Sequence, residues 1–220
     1  VDSYDDIYSK VALALTSAQV AKQGVVDDAG IGEDIPFTFM GWDGPRLAVL
    51  MSLGPETMSK PVLERMPLVA AVSEIMRKVY CVDSITFVAE GYISKSVLNV
   101  RWRDLRKDFA NNDKDVSECI NVVQIGFDSF GHPYASLMAA AYSYGKGREV
   151  TWNSVNYYEH GVGKVMKDSP IVAMIALALK DEAIGVEPEQ YMAALDAISG
   201  DGVQIHEFQE PPLLGETDDL

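Results

Sequence analysis

Hydrophobic and polar positions alternate with period two through Ser84–Ser94. Ile85, Phe87, Ala89, Gly91 and Ile93 fall on one side, and Thr86, Val88, Glu90, Tyr92 and Ser94 on the other. Alternation with β-branched and aromatic residues predicts a strand buried on one face, and the rest of the chain arranges itself around it. Upstream, Ile7, Val11, Ala14, Leu15 and Ala18 form a helix-spaced stripe. They predict a helix over Ser3–Gly24, opened by a Ser3/Asp6 capping box and stopped at Gly24. Val25–Asp34 then reads as an acidic loop. Ile35–Trp42 and Arg46–Leu53 predict a hairpin, with Trp42-Asp43-Gly44-Pro45 as turn chemistry. Pro67 should break or kink a helix over Met58–Tyr80, so the clean helix is Pro67–Tyr80. Its inward positions are Leu68, Ala71, Val72, Ile75, Met76 and Val79.

Beyond the central strand, Lys95–Lys107 is basic, Asp104–Ala110 fits a short helix, and Asn111–Ser117 is polar loop. Cys119–Phe127, Pro133–Tyr144 and Arg148–Val155 read as a three-strand meander, turned at Asp128–His132 and Gly145-Lys146-Gly147. Tyr157–Lys167 reads as loop. Ser169-Pro170 opens a helix that is apolar nearly all round over Ile171–Leu179, hence deeply buried, and ends at Gly185. A last helix over Glu189–Ser199 and a short strand over Val203–Phe208 complete the pattern. Interleaved helices with short hairpin turns predict an α+β fold: a mainly antiparallel sheet of about six strands, packed by helices. Residues 1–208 read as one domain and 209–220 as an acidic, Pro-containing tail.

Composition narrows the function classes. The chain has 220 residues, 48% of them hydrophobic, enough for a substantial core. Its net charge of −15 disfavours nucleic acid as a partner, because phosphate-binding faces need clustered Lys and Arg. The longest apolar run, Pro170–Leu179, is about half of what a membrane span requires. The N-terminus is acidic rather than leader-like. A soluble, intracellular, cytoplasmic protein is expected, or one that is part of an assembly made inside a cell. Cys81 and Cys119 are too few for a disulfide scaffold and read as reduced and packed.

No catalytic, cofactor or metal motif is legible. Gly161-Val162-Gly163-Lys164 lacks the spacing and the following Ser or Thr of a phosphate loop. His132, His160 and His206 are scattered, and neither Cys stands in a Cys-x-x-Cys pair. Glu90 reads either as a solvated strand carboxylate, paired with a cross-strand Lys or Arg, or as a carboxylate of raised pKa at the sheet surface. The enzyme or small-ligand alternative would gather Glu90, Tyr92, Glu159 and His160 in a pocket beside the sheet. A further alternative, an acidic DNA mimic, requires a continuous stripe of acids.

Two segments point instead to binding a protein partner or a second copy. Lys95, Arg101, Arg103, Arg106 and Lys107 concentrate five of the 18 basic residues around Trp102. Arg and Trp together suit an interface anchor, and a solvated loop paired with the chain's own acids is the plainer reading. The tail holds four acids and no Lys or Arg, and Phe208, Leu213 and Leu214 are its candidate docking groups.

At Phe87-Val88-Ala89-Glu90-Gly91-Tyr92-Ile93-Ser94 and at Phe39-Met40-Gly41-Trp42-Asp43-Gly44 the chain resembles small acidic proteins of unassigned function from actinobacteria and their phages. The likeness covers roughly residues 4–152. It implies an accessory protein acting within an assembly, and that family carries no catalytic residues to transfer.

Overall fold

In a computed structural model, residues 3–54, 57, 60–94, 116–128, 130–161, 169–180, 193, 196, 198–200 and 202–210 are described. Helix α1 spans Tyr4–Asp28. Strands β1 (Phe37–Asp43) and β2 (Arg46–Leu53) follow, then helix α2 (Val62–Lys78). Next come β3 (Ser84–Ser94), β4 (Val116–Phe127), β5 (Pro133–Tyr144) and β6 (Val150–Gly161). Helix α3 (Pro170–Lys180) and strand β7 (Val203–Glu207) close the order. Among the described residues the strands form one seven-stranded sheet in the order β6-β5-β4-β3-β1-β2-β7, and every pairing is antiparallel. The fold is α+β, with β3 at the centre of the sheet and β7 as the seventh strand.

Period two in the strands sorts their side chains onto two faces, and a different helix layer covers each. Ile85, Phe87 and Ala89 of β3 join Val123, Ile125 and Leu137 under α2 and α3, through Val72, Met76, Ile175 and Leu179. Val88 joins Ile120, Val122, Met138 and Tyr142 under Val11, Ala14, Leu15 and Ala18 of α1. Two apolar cores therefore sit back to back across one sheet. Burial of aliphatic and aromatic side chains, worth about 1.5–3 kcal/mol each, is the term that holds the layers.

Several boundaries differ from the sequence reading. The Ser3/Asp6 capping box is present, yet α1 runs through Gly24 to Asp28. Gly24 costs about 1 kcal/mol of helix propensity, and the fully buried Val26 anchors the extra turn in the α1 core. Pro67 lies inside α2 without ending it. It sits on the exposed side of the helix, where water can serve the carbonyl that loses its partner. β4 begins at Val116 rather than Cys119. β6 continues through Tyr157–Gly161, which had read as loop, because an irregularity opposite Ala140/Tyr142 absorbs the break in pairing. Residues 79–83 join α2 to β3, and Cys81 among them adopts φ 54. The proposed helix at Asp104–Ala110 and the ends at Gly185 and Glu189 lie outside the described residues. Ala193, Asp196 and Ile198–Gly200 are helical. Among the described residues no helix is long and apolar enough to cross a membrane.

Candidate functional site

Three features of this frame bear on function. The first lies at Glu90. The position on β3 is neither solvated nor paired across strands: its side chain is 9% exposed and its partner is Lys22 of α1, 1% exposed, at 2.9 Å. The expectation of a solvated carboxylate fails because α1 covers this face and brings a cation with it. Lys22 Nζ also donates to Glu90 Oε2 at 3.0 Å and to the Glu33 carbonyl at 2.6 Å. Glu90 further accepts from the Ile35 N–H at 2.8 Å and from the Tyr142 hydroxyl at 2.6 Å. The Lys22 ammonium stands 5.2 Å and 5.9 Å from the Tyr142 and Tyr144 ring centres, within cation–π range.

Burial works against the charge on Lys22, but the Glu90 carboxylate outweighs it and lifts the ammonium above its ordinary range. Burial, and then Glu90 beside it, raise the Tyr142 hydroxyl. Loss of water and then the neighbouring Glu90 charge push the Asp34 carboxyl up to about 6. Glu118 is raised by burial, with Lys22 pulling the other way. Burial drives the Cys119 thiol up to about 12, so it is a packed, unreactive group. The cluster is a satisfied ion pair joining α1, the α1–β1 connection, β3 and β5.

The second feature is a cavity of about 360 Å³ where β3 begins and β4 ends. Arg77 and Lys180 from the last turns of α2 and α3 line it with Asp83, Asp128, Phe127 and Leu179. Ser84, Gly131 and Tyr134 complete its wall. Behind Ser84, buried Lys10 donates to its hydroxyl at 3.1 Å and lies 5.5 Å from the Trp42 ring centre. Trp42 Nε1 donates to Thr86 Oγ1 at 2.7 Å, and Thr86 donates in turn to Gln124 Oε1.

The third feature is a connection. β3 and β4 stay paired to their ends, Ser94 opposite Val116. Residues 95–115 therefore connect two positions that already face each other across the β3–β4 pair. Paired Cα atoms lie roughly 4.5–5.5 Å apart, a gap that a two-residue hairpin turn spans. Twenty-one residues occupy it instead.

The residues singled out from the sequence fare unevenly. Lys95, Arg101, Trp102, Arg103, Arg106 and Lys107 belong to this connection, and with Leu213 and Leu214 they lie outside the described residues. Phe208 is 59% exposed just after β7, and its N–H donates to the Ala48 carbonyl. Glu90, Tyr92, Glu159 and His160 are not brought to one level of the sheet. Glu90 pairs opposite Ile120, which pairs opposite Ala140, which pairs opposite Asn156. His160 is four residues beyond that level, roughly 13 Å along the strand. Among the described residues no group of three or more His, Cys, Asp or Glu side chains could hold a metal.

Sequence reasoning missed Lys22, Tyr142, Lys10 and the cavity lining. A signal for the two lysines was present: Lys10 and Lys22 occupy the same helical stripe as Ile7, Val11, Ala14, Leu15, Ala18 and Val26. No protein-family model, no curated protein and no solved structure matches the chain.

Proposed function

We propose that this protein acts by binding another protein within an assembly, without catalysis, and that the connection 95–115 makes the contact. The observation that carries the proposal is the pairing of Ser94 with Val116. It makes nearly all of the 21 residues surplus to joining the two strands. Connections of more than about 12–15 residues without secondary structure of their own are uncommon in compact domains, and are functional segments or else linkers.

The chemistry of the segment fits docking. It holds six basic and four acidic side chains, while the other 199 residues carry a net charge of −17. Trp102 stands between Arg101 and Arg103, the residue types that dominate interface energetics. The favoured partner is an acidic protein surface, which a second copy of this chain also offers. Phe208, exposed at the β7 edge, and Leu213 and Leu214 beyond it provide a secondary contact. An accessory role of the phage or actinobacterial kind that the resemblance implies is consistent with this. The enclosed Lys22–Glu90 pair supports a non-catalytic reading of the sheet's most unusual acid.

Charge reversal tests the reading. Native mass spectrometry of the protein taken gently from its source should show complexes heavier by whole protein masses. Arg101→Glu/Arg103→Glu/Arg106→Glu should abolish them while leaving the thermal melt unchanged. An unchanged complex in the triple variant, or a bare monomer in the wild type, overturns the proposal.

A further inference from the structure

The cavity at the α2/α3 end of the sheet has a balanced lining that the proposal above does not use. Arg77 and Lys180 are its cations, Asp83 and Asp128 its anions, and Phe127 and Leu179 its apolar walls. The cations come from the final turns of two helices, where the negative ends of the helix dipoles favour positive charge. The anions are set by turns. Asp128 Oδ1 accepts the N–H groups of Phe130 and His132 at 2.9 Å and 2.8 Å. Asp83 Oδ2 accepts the Gly44 N–H at 3.0 Å, and its Oδ1 accepts the Ser84 hydroxyl at 3.0 Å. Ionised carboxylates have about four acceptor positions, so both keep capacity after these bonds. The backbone donors hold the Asp128 carboxyl below its usual range.

We infer that this cavity binds a small zwitterion of the amino-acid type with an apolar side chain. Its carboxylate is placed by Arg77 and Lys180, its ammonium by Asp128 and Asp83, and its side chain lies against Phe127 and Leu179. A lone anion would face two fixed carboxylates, and a lone cation two fixed basic groups. Only a ligand carrying both charges meets a complementary group for each of them. The volume of about 360 Å³ lies at the small end of the range for ligand sites and suits one amino acid rather than a dinucleotide.

The test is titration calorimetry of the full chain with L-phenylalanine as probe. N-acetyl-L-phenylalanine, lacking the ammonium, and L-phenylalanine amide, lacking the carboxylate, are the controls. L-Phenylalanine should bind saturably, and each control at least about tenfold more weakly. Lys180→Met, at an exposed position, should weaken L-phenylalanine about tenfold and leave the amide unchanged. Asp128→Asn keeps the acceptor for the turn N–H groups and should narrow the gap between L-phenylalanine and its N-acetyl form, with Asp83 still facing the ammonium. No saturable binding of L-phenylalanine, or equal binding of all three compounds to the wild type, overturns the inference. So does indifference of the affinities to both variants in proteins that melt like the wild type. Because no residue of 95–115 takes part, this result and the charge-reversal result fail or succeed independently.

Discussion

Lys22 on α1 and Glu90 on β3 meet at 2.9 Å across 68 residues of chain, both enclosed between the helix and the sheet. The pair draws its acceptors and donors from four segments: the Glu33 carbonyl, the Ile35 N–H, the Tyr142 hydroxyl and the two side chains themselves. A buried pair is retained at a desolvation cost, and breaking it leaves a charge with nothing to answer it.

Lys22→Met should therefore destabilise the protein by about 3–5 kcal/mol, as removal of one member of a buried pair does. Lys22→Met/Glu90→Gln should recover more than half of that loss, since the Gln amide oxygen still accepts from the Ile35 N–H and its NH2 group can donate to the Tyr142 oxygen. Urea unfolding followed by circular dichroism measures both. Additive losses in the double variant would show that the two residues are not energetically coupled.

Asp34 gives the cluster a pH dependence of definite sign. Its carboxyl titrates at about 6 in the folded protein against an ordinary value of 3.8, through loss of water and the neighbouring Glu90 charge. Between about pH 4 and 6 the folded state thus holds more protons at this group than the unfolded state does. Its contribution to stability is full below that window, falls as pH rises through it, and stays lost above it. Lys22, Glu90 and Glu118 are the charged neighbours that shape it. Asp34→Asn should melt higher than the wild type at pH 7, and the two curves should converge near pH 4. A melting difference independent of pH would exclude this assignment.

Replacing residues 95–115 by Asn-Gly should leave the sheet folded, because Ser94 and Val116 are already a strand pair and Asn-Gly suits a two-residue hairpin. The shortened chain should keep its cooperative melt and lose its association with partners. Loss of folding would show instead that the connection serves the fold.

Gly126 faces Tyr134 so closely that an added Cβ would stand 2.7 Å from the phenol oxygen and 2.9 Å from Cζ. Gly126→Ala should cost about 1–3 kcal/mol through overpacking. In a Tyr134→Val background the same change should cost much less, a coupling that a double-mutant cycle reads directly. Equal costs in the two backgrounds would place the strain elsewhere.

Periodicity carried most of the fold. The alternation in Ser84–Ser94 and the turn residues bounding Pro133–Tyr144 fixed those two strands to the residue. It failed where tertiary packing overrode local preference. Gly24 reads as a stop until Val26 is seen to have a core to enter, and Pro67 reads as a break until its ring is seen to face water. The cluster around Glu90 was half legible. An acid within an apolar strand signals something, but its cation sits 68 residues away, and only the docking of α1 brings them together. Lys10 and Lys22 are polar interruptions of an otherwise apolar helical stripe, the pattern from which a buried charge can be suspected. The cavity was illegible, since Arg77, Asp83, Asp128 and Lys180 converge only through the ends of four separate elements.

Strand β7 completes the sheet by pairing Val203–Glu207 with Val49–Leu53 of β2, and the Tyr80 hydroxyl donates to Glu207 to pin it. During synthesis, β2 is made 150 residues before its outer neighbour, since Leu53 pairs with Val203. At about 5–20 residues per second, its hydrogen-bonding edge stays unpaired for roughly 8–30 seconds on every ribosome. An open edge bearing Val49, Met51 and Leu53 is a template for foreign strands. The nascent chain is thus at its most aggregation-prone before its last strand emerges, and a chaperone that shields this edge would raise the yield of folded protein.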